Sequence, residues 1–210
     1  MIRVLIADDH PVVRLGLKMI LQKEPDISVH NEARTAREAL ELVHSTDFDI
    51  VLLDISLPDR NGLEVLRQLK NECPEISVLV ISMHSEDLYA VRVLKEGACG
   101  YINKDSAPEE LVKAVRKVVS GGRYVSSSLA EKLAFGLVSE SNGSPDEALS
   151  NREFQVMCMI ASGKTVKEIS NKLYLSEKTV STYRARIMKK MNMKTNAELT
   201  SYSIKNNLIT

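Results

Sequence analysis

Short apolar runs alternate with longer stretches of helical period through the first half of the chain. The runs Val4–Ala7, Ile50–Leu53 and Val78–Ile81, with the shorter Tyr101–Ile102, are uninterrupted by polar residues, which predicts strands buried on both faces. Between them Val12–Leu21, Ala36–Val43, Leu63–Leu69, Leu88–Leu94 and Leu111–Val119 place apolar residues three and four apart, the spacing of a helix face. Thr35 with Glu38 and Ser106 with Glu109 mark two helix starts as capping boxes. Strand alternating with helix predicts a parallel sheet covered by helices. The runs stop at Asp8 and Asp9, at Asp54 and at Ser82, and Lys104 follows the last one closely. In open sheets of this kind ligands bind beyond the carboxyl ends of the strands, so these residues are predicted to share one site.

The pattern changes after Gly121-Gly122-Arg123, where a helix with Arg116 and Lys117 in its last turn stops. Leu129–Val138 predicts one short linking helix, and the stretch Ser139–Pro145 has linker composition. The expected organisation is a first domain over 1–123, a linker over 124–147 and a second domain over 148–210. In the second, Ser150 with Glu153, Thr165 with Glu168 and Thr195 with Glu198 form capping boxes, and Ser176 is a plain N-cap. Four short helices without strands make a small all-α domain. Within it Thr165–Leu173 turns at Tyr174-Leu175 into a helix over Ser176–Met191, the spacing of a helix-turn-helix. Val180, Ile187 and Met191 share one side of that helix, with Tyr183 at its flank; Lys178, Ser181, Thr182, Ala185 and Lys189 take the opposite side.

Charge separates the halves further. Residues 1–149 carry 17 Lys plus Arg against 24 Asp plus Glu, while residues 150–210 carry 11 against 4, so a neutral total hides an acidic and a basic part. The basic part suggests a polyanionic partner. Small Ser181, Thr182 and Ala185, beside Thr179, suit entry into the major groove, and Lys178, Arg184, Arg186, Lys189 and Lys190 suit phosphate contacts. The helical angle of Arg184 also allows a structural role beside the apolar seam. Three cysteines without paired spacing fit a reduced, cytoplasmic protein. No run approaches the roughly 20 apolar residues of a membrane span.

Carboxylates gathered at one sheet end repel by roughly 3–4 kcal/mol per pair at contact distance in an effective dielectric of about 20. A divalent cation relieves this, and magnesium suits hard oxygen ligands that share the ion with phosphate oxygens. Without His or Cys at ligand spacing, zinc is disfavoured. Lys104 and Ser82 add a cation and a hydroxyl for an incoming phosphoryl oxygen, and Asp54, on the most apolar strand, is the candidate nucleophile. Asp8 and Asp9 are then left to hold the metal.

The residues Ala7-Asp8-Asp9-His10-Pro11, Leu52-Leu53-Asp54-Ile55-Ser56-Leu57-Pro58 followed by Gly62, Ser82, and Tyr101 three before Lys104 resemble the receiver domain of two-component response regulators. The resemblance implies a five-stranded parallel, doubly wound, flavodoxin-like α/β fold. It implies Asp54 as phosphoacceptor, Mg2+ held by Asp8, Asp9, Asp54 and the Ser56 carbonyl, and Lys104 on the phosphoryl group. It further implies a switch in which Ser82 moves and Tyr101 turns inward. Leu149-Ser150-Asn151-Arg152-Glu153, Glu168-Ile169-Ser170, Ser176-Glu177-Lys178-Thr179-Val180 and Asn196-Ala197-Glu198-Leu199 resemble the LuxR-type four-helix domain of NarL/FixJ response regulators. The expected function is a transcription regulator phosphorylated by a sensor histidine kinase, dimeric when active, binding paired half-sites in double-stranded DNA. In that family the last helix, Asn196–Asn206, often forms the dimer contact; Leu199, Tyr202 and Leu208 could serve there or as core.

Enzyme readings fare worse. A phosphatase of the aspartate-nucleophile kind would carry a second acid two residues after Asp54, where Ser56 stands, and a dinucleotide enzyme would carry a glycine-rich turn where Asp8-Asp9-His10-Pro11 stands. The only chemistry expected is self-phosphorylation and autodephosphorylation at Asp54. A third reading keeps the fold and makes the first domain a phosphorylation-independent dimerisation module.

Overall fold

A computed structural model describes residues 1–83, 86–127, 129–131, 145–206 and 208–209. They fall into two compact units, Met1–Ala134 and Phe135–Thr210.

In the first unit the elements run β1 (Ile2–Ala7), α1 (Pro11–Leu21), β2 (Ile27–Ala33), α2 (Ala36–Ser45), β3 (Ile50–Asp54), α3 (Gly62–Glu72), β4 (Ser77–Ser82), α4 (Glu86–Lys95), β5 (Gly100–Asn103) and α5 (Pro108–Val119). All strand pairs are parallel, in the order β2-β1-β3-β4-β5. Every residue of β3 is buried, as helices on both faces require. One core gathers Val4, Ile6, Ile50, Leu52, Leu79, Ile81 and Ile102 of the sheet with Leu17, Leu21, Leu111, Val115 and Val118 of α1 and α5. Strand order reverses between β1 and β3, and ligands bind at such switch points in open sheets.

Two elements depart from the apolar pattern. The edge strand β2 interleaves Ser28, His30 and Glu32 with its apolar residues, and His30 and Glu32 are exposed, so it carries no continuous apolar run. Helix α5 does not start in a Ser106 capping box. Its N-cap is Ala107, without a side-chain bond, because Pro108 supplies the preset φ of a first helical position while the Ser106 amide closes a turn onto the Asn103 carbonyl at 3.0 Å.

After α5 the chain returns along β5. The Tyr101 amide donates to the Tyr124 carbonyl at 3.2 Å and the Tyr124 amide to the Cys99 carbonyl at 2.9 Å, so Tyr124 forms a parallel bridge with Gly100. A Cβ at Gly100 would lie 2.5 Å from the Tyr124 carbonyl oxygen; only glycine lets the two backbones meet. Ser126 then starts a helical stretch at residues 127 and 129–131, its Oγ accepting from the Leu129 amide at 3.1 Å. The remainder of the expected linking helix, 132–138, and the linker positions 139–144 lie outside the described residues.

The second unit holds a 3-10 turn (Pro145–Ala148) and helices α6 (Asn151–Ala161), α7 (Val166–Leu173), α8 (Glu177–Lys190) and α9 (Asn196–Lys205). Reciprocal capping boxes start α6 and α7, and Ser176 caps α8. At α2 and α9 the threonine caps as expected, but the glutamate reaches one residue further out, to the Arg34 amide at 2.7 Å and the Lys194 amide at 2.9 Å. Tyr174 closes α7 in the left-handed conformation at φ 53°. Phe154, Met157, Ile169, Val180 and Ile187 form the core, and Leu199 and Leu208 join it. Tyr202 donates to Asp146 Oδ1 at 2.6 Å. Leu199 and Leu208 are thus buried within the unit and Tyr202 is bonded to its 3-10 turn.

Candidate functional site

Asp8 follows β1 and Asp54 ends β3, so the switch point between these neighbouring strands brings the two acids together. Each carboxylate side chain is only 2 % exposed. Lys104, just beyond β5 and itself 4 % exposed, reaches both, its Nζ 2.6 Å from Asp8 Oδ2 and 2.7 Å from Asp54 Oδ2. The Ser56 amide donates to Asp54 Oδ1 at 3.1 Å. Burial pushes the Asp54 carboxyl above its ordinary pKa of 3.8, against the downward pull of the Lys104 charge and hydrogen bond. Burial also pushes Lys104 down, but the Asp54 charge and hydrogen bond, with the close Asp8 carboxylate, outweigh it and leave the ammonium held above its ordinary value.

Asp9 is the more open of the first pair, and His10 Nδ1 lies 2.7 Å from its Oδ1 and 3.2 Å from Asp8 Oδ1. Asp8, Asp9, His10 and Asp54 each offer a ligand atom within 4.8 Å of the others. Asp8 Oδ2 and Asp9 Oδ1 are shielded from solvent yet make no hydrogen bond of good geometry, although Lys104 Nζ stands 2.6 Å from the first and His10 Nδ1 2.7 Å from the second. Buried carboxylate oxygens in that condition, facing one centre, suit a hard divalent cation such as Mg2+.

The walls of the site explain one motif glycine and two residues that no motif singled out. Gly62, which opens α3, donates its amide to the Ile55 carbonyl at 2.9 Å, and a Cβ there would lie 2.4 Å from the Asp54 carbonyl oxygen and 2.6 Å from Ile55 Cα. Asn61 beside it is buried and caps α3 through Oδ1 to the Leu63 amide at 2.8 Å. Arg14 is buried in α1 with Leu17 and Leu21, and its Nη1 donates to the Asp8 carbonyl at 2.7 Å. The phase of Arg14 on an otherwise apolar face was the available signal for it.

Ser82 is fully buried at the end of β4, and its carbonyl accepts from the Lys104 amide at 2.9 Å. The Tyr101 hydroxyl is hydrogen-bonded to Ser82, and burial raises its pKa. Tyr101 already occupies the inward position that the resemblance associates with phosphorylation, packed with Ser82 inside the fold. Glu86, at the start of α4, adds its charge to the surroundings of both Tyr101 and Tyr124. It also accepts from the Ser126 hydroxyl and from the Ser126 amide at 3.2 Å.

In the second unit Lys178, Ser181, Thr182, Ala185, Arg186 and Lys189 of α8 are exposed while Val180 and Ile187 are buried. Thr179 is half-buried, its Oγ1 2.8 Å from the Ser176 hydroxyl at the cap. Two of the proposed phosphate contacts have structural partners. Arg184 Nε donates to Asn196 Oδ1 at 2.8 Å, and Lys190 Nζ lies 2.6 Å from Oε2 of Glu153, a buried carboxylate. Glu153 sits below its ordinary pKa: burial pushes it up, and the hydrogen bonds from Lys190 and Ser150 outweigh that.

Comparison with known proteins covers both units. Residues 4–116 match the family described as the response regulator receiver domain, and residues 147–203 match bacterial regulatory proteins of the luxR family. The response regulator UvrY of Escherichia coli is 39 % identical over 209 residues, 99 % of this chain and 96 % of that protein. The response regulator GacA of Pseudomonas aeruginosa is 37 % identical over 210 residues, 100 % of this chain and 98 % of that one. Among solved structures, RcsB of Salmonella enterica bound to a promoter in the presence of phosphomimetic beryllofluoride is similar, with a TM-score of 0.66 and 29 % identity over 96 % of this chain and 97 % of that one.

Proposed function

The chain belongs to the response regulators that join a receiver domain to a LuxR-type DNA-binding domain, and on that premise we propose that phosphorylation of Asp54 by a sensor histidine kinase controls its dimerisation and DNA binding. The observation that carries the reading is the buried Asp54 carboxylate, held 2.7 Å from Lys104 and sharing that lysine with Asp8.

An oxygen of the Asp54 carboxylate attacks the phosphorus of a phosphohistidine. The P–N bond breaks, the imidazole leaves with the bonding pair and takes up a proton, and an acyl phosphate remains on Asp54. Asp8, Asp9, Asp54 and the Ser56 carbonyl would hold Mg2+, which supplies charge neutralisation to the phosphoryl oxygens in flight. Lys104 turns its ammonium from the carboxylates to a phosphoryl oxygen, and the Ser82 hydroxyl meets another. Tyr101, bonded to Ser82, registers that movement and passes it to the β5 side of the domain. No further catalytic chemistry is proposed beyond hydrolysis of this acyl phosphate.

Lys178, Lys189 and Arg186 supply phosphate contacts and Ser181, Thr182 and Ala185 face the groove, while Arg184 and Lys190 divide their role with the packing of α8. No helix among the described residues is long and apolar enough to cross a membrane, which accords with a cytoplasmic regulator. Intact mass after incubation with acetyl phosphate and Mg2+ tests the switch. One phosphoryl adduct on the wild type, absent from Asp54→Asn, together with tighter binding to DNA bearing paired half-sites, is expected. A wild type without an adduct favours a phosphorylation-independent dimerisation module instead.

A further inference from the structure

Arg14 occupies a position that helical period assigns to the core. It lies on the buried face of α1 with Leu17 and Leu21, is 5 % exposed, and keeps its guanidinium out of water. Burying a cation costs several kcal/mol unless its partners are excellent, and an apolar replacement of similar volume is often neutral or stabilising. Its charged partner is modest: Nε stands 3.3 Å from Glu32 Oε2, and Glu32 also takes Lys18 Nζ at 2.9 Å. Stability alone does not account for a cation there.

Its other contact does. Nη1 donates to the Asp8 carbonyl at 2.7 Å, while the backbone amide of the same residue donates to the His10 carbonyl at 3.1 Å. The second is the first intrahelical bond of α1, which any residue there would make, so it is the guanidinium that holds the Asp8 end of the Asp8-Asp9-His10 turn against the helix. Inside the turn the His10 amide is bonded to Asp8 Oδ1 at 2.8 Å, and the Asp8 amide is bonded to the Ala33 carbonyl at 3.1 Å. Glu32 lies one residue before Ala33 on β2, so the guanidinium ties the metal-facing turn to the neighbouring strand. Lys104 contacts the carboxylate of Asp8 and Arg14 contacts its backbone. Lys104 is therefore the cation against the carboxylates, and it must move when a phosphoryl group arrives, whereas Arg14 holds the backbone beneath them.

We propose that Arg14 is a positioning residue for the divalent cation: it fixes the turn from which Asp8 and Asp9 reach the metal. The proposal rests on the reading of the acid site given above. Partners of this kind, one bond behind the ligands, typically contribute 10- to 100-fold in metal affinity.

The test is calorimetric titration of Mg2+ into the full-length wild type, Arg14→Met, Arg14→Lys and Glu32→Gln, with thermal unfolding of each in the absence of metal. Arg14→Met is expected to weaken Mg2+ binding about tenfold or more while its melting temperature holds or rises. Arg14→Lys restores part of the affinity, and Glu32→Gln gives a smaller loss. Arg14→Met that binds Mg2+ within twofold of wild type overturns the proposal. So does a loss of affinity that falls in step with melting temperature across all three variants, since that is what a merely structural arginine predicts. Should Arg14→Met not fold, unchanged affinity in both Arg14→Lys and Glu32→Gln overturns it equally. A wild type that takes up no Mg2+ refutes the acid-site reading itself, a result separable from any difference among the variants.

Discussion

Replacing Lys104 by methionine removes the one charge that the structure places between two buried carboxylates. The ammonium lies 2.6 Å from Asp8 Oδ2 and 2.7 Å from Asp54 Oδ2, so those oxygens are at most about 5 Å apart. At that separation two negative charges repel by about 3 kcal/mol in an effective dielectric of about 20. Removing one partner from a buried ion pair costs roughly 3–5 kcal/mol in general, in line with that figure. Relief through protonation of Asp54, already displaced upward by burial, caps the loss at neutral pH. Lys104→Met is therefore expected to lose about 3 kcal/mol, some 10 °C or more for a unit of this size, in metal-free urea and thermal unfolding. Adding Asp54→Asn to it deletes the repulsion and is expected to return most of the loss, a coupling well outside the roughly 0.5 kcal/mol scatter of independent sites. A Lys104→Met cost under about 1 kcal/mol, or a double variant no more stable than the single, would falsify the view that this lysine is the counter-charge of the site.

Other outcomes follow from the same geometry. The raised pKa of Asp54 means that the folded state holds its proton to higher pH than the unfolded chain, so this group's contribution to stability falls as pH rises through the folded value. Asp54→Asn should accordingly raise the melting temperature at pH 7 and lose that advantage below the ordinary carboxylate pKa; a variant less stable than wild type at pH 7 contradicts this. Tyr174, 75 % exposed at φ 53°, adopts a conformation that costs a residue with a side chain about 1–2 kcal/mol. Tyr174→Gly should therefore shift the urea midpoint of the second unit upward, and a downward shift refutes the argument. In DNA binding, Lys178→Ala and Lys189→Ala should each lower the salt slope by about 1. Lys190→Ala should instead show mainly as lost stability, because it strands the buried Glu153 carboxylate; an equal salt-slope effect for all three would show Lys190 to be an ordinary phosphate contact.

The sequence-based reading succeeded where one kind of burial dominated. Strands β1, β3 and β4 lie under helices on both faces, so their apolar runs announced them, and the acids at their ends followed from chain order. Strand β2 escaped that reading because its edge position leaves His30 and Glu32 facing water, and a strand half in solvent carries no continuous run. The helix starts at Thr35, Ser150, Thr165, Ser176 and Thr195 were legible because capping chemistry is local. Ser106 misled because Pro108 offered a competing local rule. Glu86 with Ser126 and Lys190 with Glu153 were not legible, since each pairing spans a distance along the chain that no spacing rule encodes; for Arg14 the helical phase marked the position but not its partner. Gly62 marked a motif position, and only the 2.4 Å approach to the Asp54 carbonyl explains why it must be glycine.

The pairing of Tyr124 with β5 bears on where this domain can be cut. A strand at the margin of a sheet offers unpaired amides and carbonyls to any other extended chain, and proteins protect such margins. Here the Tyr101 amide and the Cys99 carbonyl are both taken by Tyr124, and the Gly100 backbone is bare enough to admit it. A receiver ended after helix α5, at residue 123, would release both groups and leave β5 open to the corresponding strand of another molecule. The natural stopping point lies beyond Ser126, and a fragment ended earlier should self-associate for a reason unrelated to phosphorylation.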